Sequence, residues 1–302
     1  MGASGAAEPA IRISRLGDRA AVLHVGGESF TNTVVLASAR GLVVIDTGLL
    51  PSQAPALRAA AERAFGRSDI ALVINTHAHF DHIDGNQAYA GIPIIAHADA
   101  ARQMRQWYGS PAAIAAFVRN RITWRTREEN RLQSLPADSP DVVRTRVELA
   151  NDTAMVDDFR QGRFQLVLPT VSFTDRLTFN LGDLTLNLAY YGRAHTEGDI
   201  LVHVPELQLL VVGDLFDSGW LPDFGGPTAD PPAGFRALDA LPTGDAAVQT
   251  VVGGHSEAMN GDAFRAQAAY LRNIWDGVAA ARREGVPRSE VQSRFPFESK
   301  YP

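Results

Sequence analysis

Three histidines and an aspartate fall within six residues in the segment Thr76-His77-Ala78-His79-Phe80-Asp81-His82-Ile83-Asp84-Gly85. The chain has 8 His in 302 residues, so chance spacing does not account for this cluster. Neutral imidazoles and carboxylates suit zinc, and also iron or manganese. His77 and His79 are two apart, so on an extended backbone both rings leave the same side and can grip one ion. Asp81 and His82 follow where the chain leaves the strand and can aim at a second ion beside the first. Three further candidates complete the set: His195 within Gly192–Asp199, Asp214 within Val211–Phe216, and His255 within Val252–Glu257. Each sits in a loop beside a predicted strand, next to glycines that let backbone approach closely.

Other residues near these motifs have two readings. Asp46 is either a group that orients a ligand His or part of an Asp-Thr-Gly turn. Asp84 reads as a cap for the following helix. Thr196 and Asp199 are open between site and turn roles. His97 reads as a cap or packing residue, and His24 and His203 as ordinary strand residues. Phe80, Trp107, Tyr108, Tyr191, Phe216 and Trp220 are candidates for pocket walls or core, and Arg193 for a substrate carboxylate.

The elements that must position these groups follow from periodicity. Ile11–Leu16, Ala20–Val25, Thr33–Leu36 and Leu42–Ile45 read as strands, with Gly26-Gly27 and Gly41 as turns. A helix is expected from Pro51 to about Phe65, then a strand Ile70–Asn75 running straight into the His cluster. A helix Gly85–Tyr89 and a strand Ile92–Ala96 come next. Residues 98–165 are rich in Ala, Arg, Gln and Glu and read as a helical insertion punctuated by Pro111, Pro136 and Pro140. Two strands follow in Phe173–Leu188 around Leu181-Gly182-Asp183. Ile200–Val204, Leu207–Val212 and Val248–Val252 are the last expected strands. An amphipathic helix spans about 262–284.

The ordered set His77-x-His79-x-Asp81-His82, then His195, Asp214 and His255 at strand ends, resembles the metallo-β-lactamase-fold superfamily. The resemblance covers roughly residues 20–100 and 170–260. It implies an α/β fold, a four-layer αβ/βα sandwich with the insertion, forming one domain over 1–302. It also implies two zinc ions per chain, one held by His77, His79 and His195 and one by Asp81, His82 and His255, with Asp214 bridging. Gly192–Ile200 and Val204–Phe216 are similar to the β-lactamases themselves. Two departures stand out. The commonest zinc β-lactamases carry a Cys ligand where this chain has Asp214, and a substrate-holding Lys where it has Asp217. An Asp ligand there resembles glyoxalase-II-type thioesterases and lactonases.

Two dications sharing such ligands would acidify a water between them, so the expected reaction is attack of hydroxide on an acyl carbon. The expected substrate is a small ester, lactone, thioester or β-lactam-like amide. Asp81 and Asp214 are the expected catalytic carboxylates, Asp81 orienting the nucleophile and passing on its proton. Alternatives are a β-lactamase proper, a mononuclear iron dioxygenase acting on persulfides, and a phosphodiesterase. Composition narrows these. With no Cys there is no disulfide, thiolate metal site or thiol nucleophile. Lys300 is the single Lys, which excludes Schiff-base chemistry in the site. A net charge of −6 argues against a nucleic-acid partner. No apolar run approaches the roughly 20 residues of a membrane helix. Residues 1–10 lack the basic and apolar regions of a secretory signal. Relatives with the Arg193–Thr196 and Gly213–Phe216 patterns resemble exported enzymes, which implies a trimmed periplasmic protein, with the cytoplasm as the alternative.

Overall fold

The computed structural model describes residues 11–25, 31–218, 230–240 and 248–294. The predicted Gly26-Gly27 turn and Trp220 lie outside them. Two sheets face each other. The first has seven strands in chain order: β1 (Ile11–Arg15), β2 (Ala20–Val25), β3 (Thr31–Ser38), β4 (Gly41–Ile45), β5 (Ile70–Ile74), β6 (Ile94–His97) and β7 (Val171–Phe173). Its first four strands pair antiparallel, and β4 through β7 run parallel. The second sheet runs β13 (Met259–Asn260), β12 (Thr250–Gly253), β11 (Leu209–Gly213), β10 (Ile200–Val204), β9 (Thr185–Tyr190), β8 (Arg176–Asn180).

Strand alternation divides the core into layers. Val34, Leu36, Val43, Ile45, Leu72 and Ile74 point inward and meet Leu186, Leu188, Val202, Val204, Val211 and Val252 of the other sheet. Their neighbours one residue along point outward. Leu23, Val35 and Leu42 pack on α1 (Ala54–Phe65) through Leu57, Ala60 and Ala61. Leu201, Leu210, Val212 and Val251 pack on α6 (Pro231–Asp239) and α7 (Gly261–Arg283) through Phe235, Phe264 and Leu271. Both faces of each sheet are therefore covered, which gives the four-layer sandwich and explains why the central strands are continuously apolar.

The insertion is a helical subassembly. Between β6 and β7 lie α3 (Ala98–Tyr108), α4 (Pro111–Ser134) and α5 (Pro140–Arg160). Pro111 and Pro140 open helices, behind Ser110 and Ser139 whose hydroxyls accept from the Ala113 and Asp141 amides. Met104, Tyr108, Met155, Val156 and Phe159 are buried with Ala96 and Ala100. Deleting the insertion would remove those side chains from the core at roughly 1.5–3 kcal/mol each. Point substitutions on its walls are therefore the cleaner probe of its role.

Several expectations need correction at element ends. The first helix starts at Ala54, three residues after Pro51, because residues 51–53 form a turn. A four-residue helix α2 (Phe80–Ile83) occupies the ligand cluster, and Asn86–Tyr89 is a single 3-10 turn. Phe173 belongs to β7 of the first sheet, and the chain crosses to the second at β8. The short β13, α6 and α8 (Arg288–Arg294) carry no periodic signal long enough to read. The apolar stripe of α7 runs beyond the core, and Trp275 and Val278 are exposed.

Candidate metal centre

All seven sequence-predicted ligands meet at one edge of the sandwich. His77 and His79 leave the C-terminal end of β5, and Asp81 and His82 lie in α2, which His79 precedes as N-cap. His195 comes from the β9–β10 loop, Asp214 follows β11 and His255 follows β12 by two residues. Backbone bonds lock these loops together across the two sheets. Ile200 N donates to Thr76 O (2.9 Å), Gly254 N to Gly213 O (2.9 Å) and Asn32 N to Gly254 O (2.7 Å).

Two groups share Asp214. His77, His79, His195 and Asp214 form one, and Asp81, His82, Asp214 and His255 the other, with the ligand atoms of each within 4.8 Å of one another. Either group could hold a metal ion. Asp214 Oδ2 lies 3.6 Å from His77 Nε2, 3.4 Å from His195 Nε2 and 3.2 Å from His255 Nε2, while Oδ1 lies 3.1 Å from His82 Nε2. Asp81 Oδ2 is 3.1 Å from His255 Nε2.

The donor set fits cations on direct observation. His77 Nε2 and Asp214 Oδ1 are buried without a hydrogen-bond partner, and such orphans normally cost 1–3 kcal/mol or more. His79 Nδ1 and His195 Nε2 face each other at 2.9 Å, where at most one can carry a proton. Electrostatics agree. Burial, with His82 nearby, drives His77 well below its ordinary pKa, and burial beside His195 drives His79 to about 4. Burial opposes ionisation of Asp81 and Asp214 too, yet His82 and His255 outweigh it and hold both carboxyls low. Conversely, burial is outweighed at His82 and His255 by the carboxylates, chiefly Asp214, which raise both. Buried negative charge thus demands positive charge at this spot.

Asp46, the ambiguous residue, is committed to the site. Its Oδ2 accepts from His82 Nδ1 (2.9 Å) and Thr76 Oγ1 (2.7 Å), and its Oδ1 from Thr76 N (2.8 Å). With its proton given to Asp46, the Thr76 hydroxyl accepts from His77 Nδ1 (3.0 Å). One carboxylate therefore orients two candidate ligands, holding the Nδ1 side of each ring so that both Nε2 atoms face the cluster. Asp46 adopts φ +60°, a left-handed conformation that β4 and β5 hold in place. Asp46→Asn should weaken metal affinity by about 10–100-fold, measured by competition with a chromophoric chelator. Unchanged affinity would remove this role.

The other loops have their own carboxylate organisers. Asp199 Oδ2 accepts from the amides of Ala194, His195 and Thr196, and Oδ1 from the Thr196 hydroxyl. Asp217 Oδ1 accepts from His255 N (2.7 Å), and burial together with Asp214 raises its pKa to about 6. Asp217 is thus buried and turned into the His255 loop. Gly254 is required by closeness, since a Cβ there would lie 2.0 Å from Asp214 Oδ1. Asp84 does not cap. Its carboxyl is buried with both oxygens unpartnered, and burial with Asp81 nearby raises its pKa well above the carboxylate range.

Sequence reading missed Asn32 and understated His24. Asn32 Nδ2 donates to Gly253 O and Ser256 O on either side of His255, and Asn32 Oδ1 meets His24 Nδ1 at 2.7 Å. An Asn in a β-branched strand gives no local signal of a partner more than 200 residues away. His97 caps α3 and stacks on Tyr190. His203 lines a remote cavity with Tyr191. Phe216 packs on Phe264, and Arg193 is exposed. Of the aromatic candidates, Phe80 lines the site cavities and Trp107 stacks on His79 at 5.9 Å. Trp124 of α4, not foreseen, lines the cavity that Asp81 and His255 border.

A two-sheet sandwich with two paired His/Asp groups at one edge is an α/β fold carrying a candidate metal centre. The model of the metallo-beta-lactamase superfamily matches residues 26–255, and the chain belongs to that superfamily. Solved structures agree in fold. A metallo-beta-lactamase from Pontibacter korlensis superposes with TM-score 0.58 at 15% identity, covering 87% of this chain and 99% of that one. One from Hirschia baltica gives 0.56 at 16%, covering 86% and 97%. One from Erythrobacter litoralis gives 0.55 at 16%, covering 89% and 98%. No curated protein matches the chain in sequence. Membership and the two His/Asp groups point to a metal-dependent hydrolase with a small-molecule substrate. Among the described residues no helix is long and apolar enough to cross a membrane.

Proposed function

We propose that this protein hydrolyses an acyl compound, an ester, lactone, thioester or β-lactam-like amide, using two divalent ions. The observation that carries this reading is the convergence of orphaned buried ligand atoms, His77 Nε2 and Asp214 Oδ1, beside a cavity of about 220 Å³ that Asp81 and His255 border. His77, His79 and His195 would hold one ion and Asp81, His82 and His255 the other, with Asp214 shared. When bound, the ions supply an acidified water and polarise an acyl carbonyl.

The chain's own residues supply the rest. Asp81 belongs to the ligand group and also lines the cavity, so its carboxylate can accept the proton of the attacking water and return it to the leaving group. Leu49, Phe80 and Trp124 give the cavity apolar walls that shed water from a bound acyl group. Asp217, tied to His255 N, offers no substrate-holding cation at its position, which ranks general acyl hydrolysis above β-lactam hydrolysis.

A panel of lactones, thioesters, phosphodiesters and nitrocefin, run on protein of measured metal content, tests the reading. Turnover of an acyl substrate that vanishes on demetallation supports it, and full activity without metal overturns it. Asp214 is a harder donor than a thiolate, so protein from unsupplemented medium should carry iron or manganese as well as zinc. Metal analysis giving two zinc ions per chain and nothing else would count against that tolerance.

A further inference from the structure

Arg121 of α4 is held as if to receive a ligand. Its Nε donates to Asp152 Oδ1 (2.5 Å), and its guanidinium lies over the Phe80 and Trp124 rings at 4.6 and 4.4 Å. Nη1 and Nη2 have no hydrogen-bond partner among the described residues. The plane of the group is therefore fixed by one carboxylate oxygen and two rings, while its outer edge is unused. Asp152 Oδ2 is buried and cannot compete for a ligand, and Glu148 on the same wall faces Arg144 Nε at 3.8 Å. Arg121 and Phe80 line both the cavity bordered by Asp81 and His255 and a second of about 390 Å³ that reaches His79 and Trp107.

We propose that Arg121 anchors a carboxylate of the substrate, so that the preferred substrate is an acyl compound carrying an anionic group at a distance from the bond that is cleaved. This rests on the acyl-hydrolase reading and narrows it. A guanidinium edge with two parallel donors matches a carboxylate in a bidentate pair. Preorganisation by Asp152, Phe80 and Trp124 removes the entropy that a free Arg would lose on binding. The anchor comes from the helical insertion, a different element from the loop that carries Asp217.

The test uses p-nitrophenyl hexanoate and the p-nitrophenyl monoester of adipic acid, which share a six-carbon acyl chain and differ in the terminal carboxylate. The metal-loaded protein should favour the adipate ester in kcat/KM. Arg121→Gln should cut that preference about tenfold or more, mainly through KM, and Arg121→Lys should keep part of it. Calorimetry on the metal-free protein with 3-phenylpropanoate and 3-phenylpropanamide reads the same preference without turnover. An unchanged ester preference and unchanged binding preference in Arg121→Gln, with normal circular dichroism, would overturn the proposal. So would tighter binding of cationic than anionic probes that depends on Glu148. Ester turnover with no effect of Arg121 removes the anchor and leaves the hydrolase. Arg121-dependent carboxylate binding with no turnover removes the hydrolase and leaves the anchor.

Discussion

Asp214→Ala should lower kcat/KM for any acyl substrate by about 10³-fold or more and reduce the metal bound to at most one ion per chain. Among the described residues, no other belongs to both ligand groups. Removing its carboxylate withdraws the charge that faces four imidazoles, at 3.1 to 3.6 Å from His77, His82, His195 and His255. Asp214→Asn makes the same point with less change in shape, since the amide keeps one acceptor and loses the charge. Both variants should fold, because Asp214 sits in a loop after β11 and supports no hydrophobic layer. Atomic emission for metal and steady-state rates for turnover check the result. Two ions per chain and undiminished turnover in Asp214→Ala would rule out the shared-ligand arrangement.

Chelation is expected to destabilise the protein by about 4 kcal/mol relative to metal-saturated protein at a thousandfold excess over Kd. For a chain of this length that is a fall in Tm of roughly 6 °C, reversed on adding zinc. The cause lies in the buried charges. Asp81 and Asp214 are ionised inside the sandwich edge, where each buried ion carries a desolvation penalty of several kcal/mol unless compensated. His77 Nε2 adds an unpartnered acceptor to the same space. Metal ions satisfy all of these atoms at once, whereas protons satisfy them only in part. Differential scanning calorimetry with and without chelator measures the shift. Identical melting curves would mean that the ligand groups hold no ion that matters to the fold.

Much of this site was legible in the chain because its information is local. On an extended strand end, His77 and His79 must leave the same side, and Asp81 and His82 must follow within one helical turn. The strand ends at Gly213 and Gly253 are also local, being apolar runs that stop at glycine. Resemblance in motif then joined these pieces into one fold, and the four layers follow from strands that are apolar on both faces.

What the chain alone left open depends on pairs distant in sequence. Asp46 was ambiguous because its partner His82 lies 36 residues on. His79 meets His195 across 116 residues, and Asn32 meets Ser256 across 224. The substrate wall was hidden for the same reason. Arg121 resembles any solvated helical Arg until Asp152, 31 residues later on the next helix, and the rings of Phe80 and Trp124 fix its plane. The sequence by itself determined which donors exist, that they suit zinc, iron or manganese, and which strand ends carry them. Only the tertiary structure decided which carboxylates gather with the histidines in a candidate metal group and which hold the histidines and their loops from behind, because those arrangements are set by the few ångströms between segments that covalent order does not constrain.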